Sequence, residues 1–410
     1  MKVTSCRICG GREITRILDL GMMPAPNKFL ETEGDFQKEE LFPLRFCRCA
    51  DCGLALIDEI VPPEKLFGTY HYLTSASAPL VTHFRELAAE SKKRFGVTKK
   101  TKVLDVGAND GTLLLEFKAL GAETLGVDPA KNVVLIAKTK GVTVLPEFFS
   151  HALAKKMRKK YGQFDIITAT NVFAHTNDIH DFASGVKELL KPEGIFVIEF
   201  AHLLEMFKQK FFDVIYHEHL SFFALEPLLT FFEGHDMKVF DVKKVLTQGG
   251  SLRVYVAHAG SKKHKILPGV ARVVREERAA GLHKREAFEK FAKQAADYRV
   301  GLRNLLQKLK RQGKKVVGVA APAKGVILLN YCRIDGELID YLVDSTPLKQ
   351  HRFMPGVHIP VYPEEKLAEE KVDYFLLLAY NFRDAILQKL SPYRDQGAKI
   401  IIPFPEIEIV

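Results

Sequence analysis

Tyr216-His217-Glu218-His219 places a phenol, two imidazoles and a carboxyl in one turn of sequence. The flanks are apolar and aromatic, with Phe211, Phe212, Ile215, Leu220, Phe222 and Phe223. Titratable groups are costly to bury unless they are paired or used. Imidazole and carboxyl are the usual agents of proton transfer near neutral pH. The quartet is therefore a candidate for removing or delivering a proton. Within it, His217 reads best as a structural histidine.

A glycine loop upstream indicates what the proton transfer serves. Thr101–Val106 reads as a short buried strand that runs into Gly107-Ala-Asn109-Asp-Gly111 and then a helix over 112–120. This is the first turn of a doubly wound sheet, where glycines let a ligand approach the backbone. The next strand, 124–127, ends in Asp128, an acid placed to take two ribose hydroxyls. The loop lacks the G-x-G-x-x-G form. One glycine turn starting at Asp105 plus this acid suits S-adenosylmethionine (AdoMet), which has no pyrophosphate to cradle. A later strand, 164–168, leads to Asn171 and His175, at the strand end where such folds bind ligands. These two are candidate pocket contacts.

Five of the six cysteines fall within the first 52 residues. Cys6-Arg-Ile-Cys9-Gly10 and Cys49-Ala-Asp-Cys52-Gly53 repeat C-x-x-C-G, and two such pairs make a tetrahedral four-thiolate site suited to Zn²⁺. With all four positions filled by sulfur, the zinc is expected to be structural. Cys47 could compete for the metal, but it does not repeat the motif. Cys332 reads as a buried helical thiol.

Other clusters could touch a substrate. Tyr70, His71, Tyr72, Ser75 and Ser77 precede a helix over 79–95 and suggest a lid with hydroxyl donors. Gly249-Gly250-Ser-Leu-Arg253 offers backbone amides and a guanidinium. In the last third, Ala321-Pro-Ala-Lys324-Gly325 opens a helix, and Lys349 and Arg352 follow another strand end. Together they suggest a pocket for a pyrophosphate.

The elements that must position these groups form an α/β chain. The expected architecture is a small zinc module with lid over residues 1–75, a Rossmann-like AdoMet domain with a catalytic insert over 76–283, and a connector helix with a second Rossmann-like α/β unit over 284–410. The connector is amphipathic, with Phe288, Phe291, Ala295, Tyr298, Leu302, Leu305 and Leu309 on its apolar face. The net charge of +10 reads as solvated surface, because the basic runs lack interleaved stacking aromatics. No apolar run is long enough to span a bilayer and no signal core opens the chain, so a cytoplasmic protein away from membranes is expected.

Taken in order, the two knuckles, the Tyr-x-Tyr-x-x-Ser-x-Ser segment, the G-x-N-D-G loop, Asn171 to His175, the quartet, Gly-Gly-Ser-Leu-Arg, Ala-Pro-Ala-Lys-Gly and Pro355-Gly356 resemble the nucleotide-sugar C-methyltransferases over essentially the whole chain. The resemblance implies AdoMet as methyl donor, structural zinc, and a nucleoside-diphosphate 4-keto-deoxysugar methylated at C-3. It implies a base drawn from Tyr216, Glu218 and His219, with Tyr70 and His175 as further pocket residues. It also implies that the C-terminal unit helps to hold the nucleotide sugar. His219 is the expected base, because a ketone at C-4 acidifies the C-3 proton. Gln248 departs from the histidine that commonly precedes Gly-Gly-Ser-Leu-Arg, and Cys47 is extra. A monomer that binds no nucleic acid is expected. The alternatives are an RNA methyltransferase with a zinc module and a non-catalytic sugar-nucleotide scaffold.

Overall fold

The computed structural model describes residues 1–67 and 73–410 of the chain. Tyr70 and Tyr72 lie outside the described residues. The N-terminal part contributes β1 (Ile14–Pro24), β2 (Leu41–Cys49) and β3 (Ala55–Ile57). The middle contributes β4 (Lys102–Val106), β5 (Glu123–Val127), β6 (Val144–Leu145), β7 (Phe164–Thr170), β8 (Leu190–Ala201), β9 (Ser221–Phe222), β10 (Met237–Val245) and β11 (Ser251–His258). The last third contributes β12 (Val316–Val319), β13 (Tyr341–Val343), β14 (Arg352–Phe353), β15 (Pro360–Tyr362), β16 (Tyr374–Leu377), β17 (Lys399–Ile402) and β18 (Glu408–Ile409).

Among the described residues these strands make three sheets, ordered β1-β2-β3-β9, β10-β11-β8-β7-β4-β5-β6 and β14-β15-β13-β12-β16-β17-β18. In the second, β4 lies between parallel partners β5 and β7. In the third, β12 lies between parallel β13 and β16. Each is a point where the winding reverses, and the crevice outside the carboxyl ends of such strands is where these folds bind ligands. Strand alternation builds the central core. Val103, Ile166, Ile195 and Val197 pack on one face with Phe84, Leu87 and Phe117. Their neighbours Leu104, Ile167, Phe196 and Ile198 pack on the other with Phe173 and Phe232.

The first sheet draws its fourth strand from far along the chain. Leu56 pairs with Ser221 and Ala55 with Phe222, so the strand just after the quartet is built into the zinc module. The helix Arg285–Arg311 then touches both β1 and β12. Its buried face includes Leu306, whereas Leu305 is only partly buried. A straight 3.6-residue helix drifts from a seven-residue repeat, which explains the one-residue shift. The segment 191–194 runs within β8, although it contains Pro192 and Gly194, and the pairing of β7 with β8 shifts register between Phe164 and Ile166.

Candidate active site

The four knuckle cysteines converge, with their sulfurs all within 4.8 Å of one another. Cys6 and Cys52 lie 3.5 Å apart and Cys9 and Cys49 3.6 Å. Sulfurs at ~2.3 Å from a tetrahedral zinc would be about 3.8 Å apart, so the donor set fits the ion. Gly10 and Gly53 adopt φ of +72° and +77°, which lets each knuckle turn. The Gly11 amide donates to Cys9 Sγ at 3.4 Å. Cys47 stays outside this cluster, buried, with its thiol directed at the Arg45 carbonyl and pushed up to about 12 by burial.

The residues at the carboxyl ends of β4, β5 and β7 fit AdoMet. Gly107 has φ +74°, and a Cβ there would come within 2.2 Å of Val172, so the loop requires glycine. Asp128 takes the Asn109 amide on one oxygen at 2.8 Å and the Ala130 amide on the other at 2.9 Å, which fixes its carboxylate at the strand end. Asp105 accepts from the Thr168 hydroxyl at 2.6 Å, and burial pushes it up to about 7. Asn171 sits at the end of β7 with φ +57°. Asp105, Gly107, Asn109, Asp128 and Asn171 line one cavity, together with the apolar wall of Phe148 and Phe149. Gly111 lies behind it, where it opens the helix Thr112–Ala119 and packs on Val142.

The quartet lines the same cavity. His219 donates from Nδ1 to the Val214 carbonyl at 2.7 Å, which leaves Nε2 as the acceptor nitrogen. Its ring lies 4.0 Å from that of Tyr216 and 5.0 Å from that of His175. Burial lowers His219 to about 4 and His175 to about 3, so both imidazoles are neutral at pH 7. Burial has the opposite effect on the acid and raises Glu218 to about 7, against a bond from Asn27 Nδ2 to its Oε1 at 2.6 Å. His217 is fully buried, against Phe42 and the Pro43 carbonyl, consistent with a structural histidine.

On the far side the cavity reaches Lys324, Lys349 and Arg352. Lys324 donates to Asn381 at 2.6 Å and lies 3.8 Å from the centre of the Tyr380 ring, and burial lowers it to about 8. Lys349 donates to the Ala321 carbonyl and pairs with Asp344 at 3.5 Å. Arg352 pairs with Glu31. Ser77 lines the cavity, whereas Ser75 does not; its amide donates to Asp110 beside the cofactor loop.

Arg253 is a correction. It is 2% exposed and lies outside the cavity lining. Its guanidinium is committed to Glu199 at 2.9 Å and Glu90 at 3.1 Å, and it touches His83. A guanidinium so paired has no fork left for a phosphate, and unpairing it would leave buried carboxylates exposed to a cost of about 3–5 kcal/mol. The double glycine also serves packing rather than a ligand: a Cβ on Gly249 would meet Phe211 at 2.5 Å and one on Gly250 would meet Glu205 at 2.9 Å. Gln248, before them, does line the cavity.

Sequence reasoning missed three residues that the fold brings to the quartet and its flanks. Arg7, inside the first knuckle, donates to the Leu220 carbonyl at 2.9 Å, the Ile57 carbonyl at 3.2 Å and Asn177 at 3.2 Å. Asn27 holds Glu218, and Tyr380 holds Asp213. Only the C-x-x-C frame around Arg7 carried any signal, because the partners lie far apart in sequence.

Family models match all three parts of the chain. Residues 6–67 match a zinc binding domain model, 79–242 a methyltransferase domain model and 246–405 a C-methyltransferase C-terminal domain model. The chain is 34% identical over 408 residues to the C-methyltransferase NovU of Streptomyces niveus, a match covering 100% of this chain and 97% of that protein. It is 27% identical over 152 residues to a ubiquinone biosynthesis O-methyltransferase of Rhodopseudomonas palustris, covering 34% of this chain and 60% of that one. Among solved structures, the SAM-bound magnesium protoporphyrin IX methyltransferase of Synechocystis is 14% identical and covers 43% of this chain and 79% of its own, with a TM-score of 0.34. Given its full-length likeness to a C-methyltransferase, its four-sulfur zinc site and its AdoMet loop, this chain belongs to the C-methyltransferase family.

Proposed function

We propose that this methyltransferase acts on a nucleoside-diphosphate 4-keto-deoxysugar, removing the C-3 proton and placing the methyl on that carbon. The observation that carries the reading is the cavity itself. It is continuous, about 2010 Å³, and reaches from the cofactor loop past the quartet to the cations of the C-terminal unit. A pocket for one small ligand is ~300–1,000 Å³, so this one has room for cofactor and sugar nucleotide together.

AdoMet held by Gly107, Asn109, Asp128 and Asn171 supplies an electrophilic methyl, which a carbon nucleophile must meet. The residues around the quartet account for making that nucleophile. His219 is neutral and presents Nε2 as acceptor, so it takes the C-3 proton while the electron pair moves to the C-4 oxygen. Tyr216 stands beside it to donate to that oxygen as charge develops. His175 forms the neighbouring wall. Glu218 is close to half-protonated at pH 7 and holds a sugar hydroxyl. Lys324, Lys349 and Arg352 supply positive charge for the diphosphate, and Ser77 adds a hydroxyl. Tyr70 and Tyr72 keep the lid assignment made from the sequence, whereas Ser75, outside the cavity lining, does not.

One observation favours a second choice of base. A general base works best with a pKa near the working pH, and Glu218 at about 7 meets that better than His219 at about 4. The two choices separate in solution. With His219 as base, kcat/KM stays flat down to about pH 5; with Glu218 it falls below about pH 7. His219→Gln should bind AdoMet normally, lose exchange of the C-3 proton with deuterated water, and lower kcat by roughly 10²–10⁴-fold. Exchange at the wild-type rate in that variant removes His219 as the base.

A further inference from the structure

The loop that holds His219 is itself held from the C-terminal unit. Val214, whose carbonyl accepts the His219 Nδ1–H at 2.7 Å, belongs to a short turn, Phe212–Val214. The side chain at the centre of that turn is Asp213, fully buried. Its carboxylate takes the Tyr380 hydroxyl with both oxygens, at 2.7 and 2.9 Å. Tyr380 follows β16 and is packed between the Phe211 ring at 4.9 Å and the Lys324 ammonium at 3.8 Å from its ring centre. Asn381, the next residue, accepts from Lys324. The direction of the His219 ring is therefore set by a carbonyl whose neighbouring side chain is clamped by Tyr380 of the C-terminal unit.

We infer that Tyr380 and Asp213 are positioning residues for the reaction: their bond fixes the Val214 carbonyl, and that carbonyl keeps the proton of His219 on Nδ1 and its acceptor nitrogen on Nε2. The inference rests on the reading of His219 as base. It assigns the C-terminal unit a part in aligning the base as well as in holding substrate. No other side-chain bond to the Asp213 carboxylate is present among the described residues apart from that of Tyr380, so the hydroxyl is the element to remove.

Tyr380→Phe keeps the ring under Lys324 and deletes only the hydroxyl. It should leave the AdoMet Kd and the sugar-nucleotide KM within about twofold and lower kcat by about tenfold or more, the scale of a misplaced catalytic group. The ¹⁵N signals of His219, identified by their loss in His219→Gln, should move from the Nδ1–H pattern toward mixed tautomers. Asp213→Asn retains an acceptor for Tyr380 and should keep more of kcat than Tyr380→Phe does, whereas Asp213→Leu should match or exceed the Tyr380→Phe loss. Wild-type kcat with unchanged ¹⁵N signals in Tyr380→Phe overturns the inference. So does a lowered melting temperature with unchanged tautomer, or a loss confined to KM. If His219→Gln itself keeps C-3 exchange, the reading of the base fails whatever Tyr380→Phe does.

Discussion

At the residue scale the site is governed by what burial does to acids and bases. Glu218 rises to about 7 and His219 drops to about 4, because burial favours the neutral form of each. This has a consequence for stability. Between its ordinary value of about 4.5 and about 7, the folded chain keeps a proton on Glu218 that the unfolded chain has released, so this group's contribution to stability falls as pH rises through that window. Glu218→Gln should remove the effect. Relative to wild type, the variant should gain on the order of 2–3 kcal/mol between pH 5 and pH 8, read from urea midpoints. Parallel pH dependences in the two proteins would show that Glu218 ionises normally. The residue types here were readable in sequence, because a titratable quartet in an aromatic run stands out. Their partners were not: Asn27 and Tyr380 reach the loop from 191 and 167 residues away. Arg253 shows the same limit in reverse. Its motif suggested a ligand contact, yet Glu90, which occupies it, lies on a helix 163 residues earlier.

At the element scale, the zinc module acts as a frame for the quartet. Local signals served well here, since the C-x-x-C-G repeat identifies the four ligands and the glycine loop identifies the cofactor turn. The pairing of β9 with β3 carried no sequence signal, since a two-residue strand has no period to read. Yet it is this pairing, together with Arg7, that ties the end of the quartet to the knuckle. Arg7→Met fills similar volume without the guanidinium and frees the carbonyls of Ile57 and Leu220. We expect it to retain one zinc per chain by elemental analysis and an unchanged AdoMet Kd, while kcat drops about tenfold or more through a displaced loop. Unchanged kcat would confine the module's part to folding.

At the scale of the whole molecule, two doubly wound sheets turn the carboxyl ends of their central strands toward one cavity, and the zinc module and insert close its wall. The α/β class and the order of units were legible because strand–loop–helix repeats are local patterns. The merger of the N-terminal sheet, the insert and the C-terminal sheet into one hydrophobic core was not, because it depends on packing between segments hundreds of residues apart. The arrangement suits a C-methyltransferase, which must bring a methyl donor and its carbon acceptor together. The most direct test is to incubate the purified protein with AdoMet bearing a ¹³C methyl and a panel of nucleoside-diphosphate 4-keto-deoxysugars, and to examine the products by mass and NMR. The proposed function predicts that at least one sugar nucleotide gains a single methyl, bonded to carbon at C-3. A methyl found on oxygen, or no transfer to any member of the panel by protein that binds AdoMet, would contradict it.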